Sequence, residues 1–144
     1  MQVQQILKSK PVGGVVTVTP ECPVSQAAAE LSARHIGSVV VSADGKTVAG
    51  IVSERDIVRE LGRDGAGCLN GPVAAIMTQS VQGCALTDSA DAVLERMTEG
   101  RFRHMPVIEN GAMIGLISIG DVVKARLAEL GMEKDALEGM IMGF

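Results

Sequence analysis

Aromatic side chains are almost missing from this chain: of 144 residues two are Phe, Phe102 and Phe144, and none is Trp or Tyr. A core must then be assembled from Val, Ile, Leu, Ala and eight Met, and a planar ligand would have to be gripped by aliphatic side chains and backbone instead of an aromatic stack. No apolar run approaches the roughly 18 to 20 residues of a membrane span. The polar start, with Gln2, Gln4, Gln5, Lys8 and Lys10, is unlike a signal peptide, so cytoplasm is the expected compartment. The 13 Lys and Arg form no dense run and the net charge is −4, which argues against a general nucleic-acid binder, because phosphate contacts need a basic surface.

Chemistry is lacking in the same way. Cys22, Cys68 and Cys84 are odd in number and far apart, which fits free thiols in a reducing compartment. With His35 and His104 they offer no Cys-x-x-Cys or His-x-x-x-His pair to start a metal site. There is no Gly-x-x-x-x-Gly-Lys-Ser/Thr loop and no Gly-x-Ser-x-Gly elbow, and no histidine adjoins Ser53 or Ser118 in sequence. No catalytic residues are expected, and the chain reads as a non-enzyme that requires no cofactor.

What is present is a duplication. Gly50-Ile51-Val52-Ser53-Glu54-Arg55-Asp56-Ile57-Val58 returns 65 positions later as Gly115-Leu116-Ile117-Ser118-Ile119-Gly120-Asp121-Val122-Val123. Upstream, Val24, Ala27, Ala28 and Leu31 line up at an offset of 66 with Ala90, Val93, Leu94 and Met97. Both sets are apolar at i, i+3, i+4 and i+7, the stripe of an amphipathic helix. Strands repeat at the same offset, Val15 to Val18 with Val81 to Cys84 and Ile36 to Val41 with Phe102 to Val107, and one extra residue falls in the first copy near Asp44-Gly45-Lys46-Thr47.

The fold class expected is α+β: two tandem β-α-β-β-α repeats packed with pseudo-two-fold symmetry, since a unit of roughly 60 residues buries too little surface to stand alone. Residues 1–64 form the first repeat, 65–73 a glycine-rich linker, 74–130 the second repeat and 131–144 a C-terminal tail helix carrying Leu137, Met140, Ile141, Met142 and Phe144. The linker is the expected mobile stretch.

Each repeat carries Ser-x-x-Asp between an apolar strand and an apolar helix, at Ser53/Asp56 and Ser118/Asp121. That pattern is a capping box, in which the hydroxyl accepts from the third helical amide and the carboxylate accepts from the serine amide. The same helix start offers unpaired amides and a partial positive charge, so it also suits phosphate or sugar hydroxyls. The residues leave both roles open.

Together with Ile76-Met77-Thr78 and Arg103-His104-Met105-Pro106-Val107-Ile108, the two motifs resemble a tandem pair of cystathionine β-synthase (CBS) domains over residues 3 to 128. The resemblance implies a regulatory protein that binds adenosine-containing ligands in two clefts between the halves, with the aspartate on the ribose and basic residues near phosphate. It assigns Ser53, Arg55 and Asp56 with Thr78 and Val81 to one cleft, and Ser118 and Asp121 with Arg103, His104 and Val16 to the other. Lys8 stands where the second copy has Thr78, Gly37-Ser38 where it has Arg103-His104, and Arg55 where it has Gly120, so the sequence does not rank the clefts. An adenine nucleotide, AMP, ADP or ATP, is the expected regulatory ligand, with NAD(H) and S-adenosylmethionine as alternatives. The competing readings are a constitutive dimerisation scaffold with vestigial clefts, and a redox sensor, which would need a thiol of depressed pKa. The resemblance implies a homodimer, for which Ile57, Val58, Leu61, Val122, Val123, Leu127 and Leu130 supply apolar surface. The expected partners are an adenosine-containing small molecule and an unidentified client protein.

Overall fold

The computed structural model of the chain describes residues 1–10 and 14–141. Helix α1 (Val3–Ser9) is followed by β1 (Thr17–Val18), α2 (Val24–Arg34), β2 (Ser38–Val41), β3 (Gly50–Ser53) and α3 (Glu54–Asp64). Two 3-10 turns, Ala66–Asn70 and Val73–Ala75, lead into the second copy: α4 (Ala90–Gly100), β4 (His104–Glu109), β5 (Ala112–Ser118) and α5 (Ile119–Ile141). The fold is thus the mixed helix-and-sheet pair of repeats that the sequence predicts.

The helical stripes bury as their spacing requires, with Val24, Ala27 and Leu31 inside on α2 and Ala90, Val93 and Met97 inside on α4. Both helices stop on a left-handed residue at equivalent positions, His35 (φ 53°) and Arg101 (φ 56°). In the first sheet β1 pairs parallel with β2, and β2 pairs antiparallel with β3. In the second, β4 and β5 form an antiparallel hairpin across Asn110-Gly111, whose φ values of 52° and 78° are those of a tight hairpin turn.

The strand expected over Val81 to Cys84 is reduced to one parallel bridge, Cys84 to Val107, the counterpart of Val18 to Val41. Proline accounts for the loss. Val40 donates its N–H to the Val16 carbonyl at 3.2 Å, but the equivalent of Val40 is Pro106, which has no N–H for the carbonyl of Gln82.

The two repeats exchange their leading segments. Val3 and Ile6 of α1 are buried in the second repeat's core with Val93, Met97, Met105 and Ile117, whereas Val73 and Ile76 are buried in the first repeat's core with Val24, Val39 and Val52. A third apolar cluster, Val40, Ile51 and Met113 flanked by Val15, Val81, Ile108 and Leu116, joins the halves. Lys8, matched with Thr78 in the sequence, lies on α1, whereas Thr78 makes an isolated bridge with Ile51. The linker is tied down by Leu69 against the first core and by the Val24 N–H donated to the Gly71 carbonyl at 2.9 Å.

At the far end α5 runs unbroken through residue 131 to Ile141, so no separate tail helix begins there; the last three positions of the expected tail, including Met142 and Phe144, lie outside the described residues. Gly131 alone is too weak a breaker to stop a helix that has helix formers on both sides.

Candidate functional site

Both Ser-x-x-Asp motifs are capping boxes. The Ser53 N–H donates to Asp56 Oδ2 at 2.9 Å while the Asp56 N–H donates to Ser53 Oγ at 3.3 Å. In the second copy the Ser118 N–H donates to Asp121 Oδ2 at 2.9 Å and the Asp121 N–H to Ser118 Oγ at 3.1 Å. The strand-to-helix junctions that these boxes close lie beside two clefts, one of about 550 Å³ and one of about 730 Å³.

The first cleft gathers Ser53, Arg55, Asp56, Thr78 and Val81, the set that the sequence placed together. Thr78 is fixed there by two backbone bonds to Ile51, 3.0 Å through its carbonyl and 2.9 Å through its amide. The approach is close: a Cβ on Gly50 would lie 2.8 Å from the Thr78 carbonyl oxygen, so glycine is needed at that point. The second cleft gathers Val16, His104, Ser118 and Asp121 as expected.

Arg103 is the exception. Assigned from the sequence to the second cleft, it lines the first. Successive residues entering a strand face opposite ways, and of the neighbouring pair it is His104, directly across the hairpin from Ser118, that reaches the second cleft. His104, Ser118 and Gly37 line both clefts and form their common wall. Burial pushes the His104 pKa down, aided by Lys10 and Arg103 and opposed by Asp121 and Glu54.

The structure adds residues that sequence reasoning missed. In the first cleft Arg59 donates to Asp56 Oδ1 at 2.9 Å, a pairing that the i, i+3 spacing could have revealed, and Arg101 joins the lining. In the second, Lys10 Nζ donates to Asp121 Oδ2 and to the Leu116 carbonyl, each at 2.8 Å. Leu116 is the counterpart of Ile51, whose carbonyl accepts the Thr78 amide, so a lysine ammonium here replaces a backbone donor. A contact between residues 111 apart leaves no local sequence signal. Partial burial works against ionisation of Asp121, but Lys10 and Ser118 outweigh it and hold the carboxyl below its usual range. Arg101 and His35 were findable, since they occupy the same position of the repeat and each lines one cleft. Ser38, the counterpart of His104, is 4% exposed, and its hydroxyl has no hydrogen-bond partner among the described residues.

Charge separates the clefts. Four arginines, Arg55, Arg59, Arg101 and Arg103, face two carboxylates, Glu54 and Asp56, in the first; Lys8, Lys10, His35 and His104 accompany Asp121 in the second. Such concave sites, with apolar walls and a few convergent polar groups, suit small molecules, and their volumes fall within the usual range of about 300–1,000 Å³. Elsewhere, Cys22 and Cys84 are buried and their thiol pKa values are raised by that burial, Cys84 to about 11, the opposite of what a redox sensor needs. Among the described residues no cluster of His, Cys, Asp and Glu could hold a metal ion, and no helix is long and apolar enough to cross a membrane.

Comparison with known proteins agrees with this architecture. The CBS domain profile matches residues 3–63 and 73–128. A CBS-domain containing protein from Agrobacterium tumefaciens is 45% identical, with 88% of this chain and 99% of that one superposed at a TM-score of 0.83. A mitochondrial CBS domain-containing protein of Arabidopsis thaliana is 32% identical over 98% of this chain and 72% of its own length. A CBS domain protein from Pyrobaculum aerophilum, solved in complex with AMP, is 26% identical over 92% of this chain and 99% of that one, with a TM-score of 0.76. The profile match over both repeats and these relatives show that the chain belongs to the CBS domain family as a tandem pair.

Proposed function

We propose that this chain is a regulatory module that senses adenosine-containing small molecules, with AMP, ADP or ATP as the regulatory ligand, and that it has no catalytic step of its own. One observation carries the reading: each Ser-x-x-Asp helix start opens onto a ligand-sized cleft walled by both repeats. A carboxylate there can accept from the two vicinal hydroxyls of a ribose, and the helix start and arginines favour phosphate. The AMP complex of the Pyrobaculum aerophilum relative supports the ligand class. Because both repeats wall each cleft, a ligand preferring one arrangement of the halves shifts the module towards it. The module acts as a homodimer.

A second reading has an observation in its favour. Both aspartates already hold cations of the chain, Asp56 with Arg59 and Asp121 with Lys10, and both serines cap, so the motifs are satisfied without any ligand. On that reading the clefts are vestigial and the chain is a dimerisation scaffold.

Thermal unfolding with AMP, ADP, ATP, NADH and S-adenosylmethionine, with GMP as control, separates the two. A ligand at 100 times its dissociation constant adds about 2.7 kcal/mol, a rise of several degrees at this size. The sensing reading expects that rise with adenine compounds and its loss in Asp56→Asn or Asp121→Asn, whichever closes the occupied cleft. The amide oxygen of Asn still accepts the capping amide, so the unliganded variants should lose at most about 1 kcal/mol. No shift with any compound would leave the scaffold.

A further inference from the structure

Helix α5 buries only its first turns: Val122 and Ala125 enter the second repeat's core, and the helix then runs on to Ile141, past the end of the matched profile at residue 128. On the face away from that core, Val123, Leu127, Leu130, Lys134, Leu137 and Ile141 recur at spacings of four, three, four, three and four, and all six are exposed. Alternating steps of three and four are the seam along which two helices pair.

The seam is symmetric about residue 132. Val123 and Ile141, Leu127 and Leu137, and Leu130 and Lys134 lie at equal distances on either side of it. A second copy of the helix laid antiparallel about that point sets Val123 against Ile141, Leu127 against Leu137 and Leu130 against Lys134, each layer twice.

Polar positions choose between the two orientations. A parallel pair would set Lys134 against its own copy inside the apolar seam and Glu133 against Glu138 along the flank, like charges in both cases. In the antiparallel pair Lys134 faces Leu130 with its aliphatic stem, and Lys124 and Glu138 fall between the same two layers on the same flank, at both ends of the seam. Within its own helix Glu138 is held only by Lys134, at 3.8 Å through one oxygen. Glu133 meets its own copy near the axis, where the Lys134 of each helix stands beside it. On the opposite flank Gly131 meets Gly131. Glycine weakens a helix interior, and a Cβ at that position would touch nothing in its own chain, so the residue finds its use at the close approach between copies.

We infer that α5 clasps a second copy of this chain through an antiparallel two-helix seam centred on residue 132, with Lys124 and Glu138 setting its direction. The inference rests on the homodimer reading above and is independent of any ligand.

Sedimentation equilibrium of the full chain tests it on the wild type, Lys124→Glu, Glu138→Lys and the variant carrying both. Each single exchange turns attraction into repulsion at both ends of the seam and should weaken the dimer about tenfold. The double variant restores the pair with its signs reversed and should regain most of that affinity. Both side chains are exposed, so all three variants should keep the wild-type far-UV spectrum. In a parallel pair the two positions never meet, so a double variant no tighter than its weaker single overturns the inference. A dimer unmoved by either single exchange also overturns it and leaves the homodimer standing, whereas a monomeric wild type removes both.

Discussion

His104 forms the common wall of the two clefts with Gly37 and Ser118, and its environment makes a pH prediction. Burial, with Lys10 and Arg103 nearby, disfavours the imidazolium and lowers the folded-state pKa below 6.5, the value expected for the unfolded chain. Between those two values the unfolded chain holds more protons than the folded one, so acid favours unfolding. The contribution of His104 to stability is complete above about pH 6.5 and is lost as the pH falls through that value towards the folded pKa. Chemical denaturation between pH 5 and 8 should show a decline on the acid side that is shallower in His104→Gln; parallel curves for the two proteins would mean that other groups carry the dependence. The resemblance placed His104 at a cleft, and the structure has it lining both. Its sharing between clefts was not legible, since that depends on the cross-strand pairing with Ser118. Arg103, one residue away, was misplaced for the same reason: linear adjacency does not reveal which side of a wall a side chain faces.

At the level of elements, the apolar stripes of α2 and α4 and the capping boxes of α3 and α5 were readable because each rests on contacts within four residues or so. Helix α1 was not, because seven residues with two core contacts give too short a period to read, and its packing partner lies in the other repeat. The consequence is mechanical. Val3 and Ile6 are 0% and 2% exposed within the second repeat's core, so the N-terminal helix is part of the unit that begins 70 residues later in sequence, and Val73 and Ile76 make the reciprocal contact. Neither repeat can then unfold without stripping the other of a buried segment. Ile6→Ala is expected to cost about 2–5 kcal/mol, the range for truncating a well-packed aliphatic side chain. Far-UV circular dichroism in a urea series, suited to a chain without Trp or Tyr, should show one transition shifted as a whole in the variant. A biphasic curve, or a loss below about 1 kcal/mol, would contradict the exchange.

For the whole molecule, the decisive feature is the apolar surface left over once both cores are filled. On α5, Val122 and Ala125 are buried, while Val123, Leu127, Leu130, Leu137 and Ile141 are exposed at spacings of four, three, seven and four, a stripe close to the 3.5-residue period of helix pairing. Val58 and Leu61 of α3 are exposed as well, 66% and 36%. Of the residues the sequence marked as surplus to one domain, Ile57 and Val122 are instead buried in the two cores, because each faces its own repeat's sheet side of the helix, while Val123, Leu127 and Leu130 are exposed; that the stripe continues past residue 131 shows only in the unbroken helix. Water-exposed aliphatics in this arrangement favour an isologous partner, a second copy offering the same stripe. Sedimentation velocity on the full chain should therefore give a species of twice the 15.0 kDa chain mass, and Leu127→Glu with Leu130→Glu should convert it to monomer. Those two side chains are 64% and 48% exposed, so the double variant should keep its far-UV spectrum, which distinguishes a lost interface from a lost fold. A monomeric wild type would overturn the homodimer and make the stripe a surface for a different chain, whereas a dimer that survives both charges would place the contact on α3 instead.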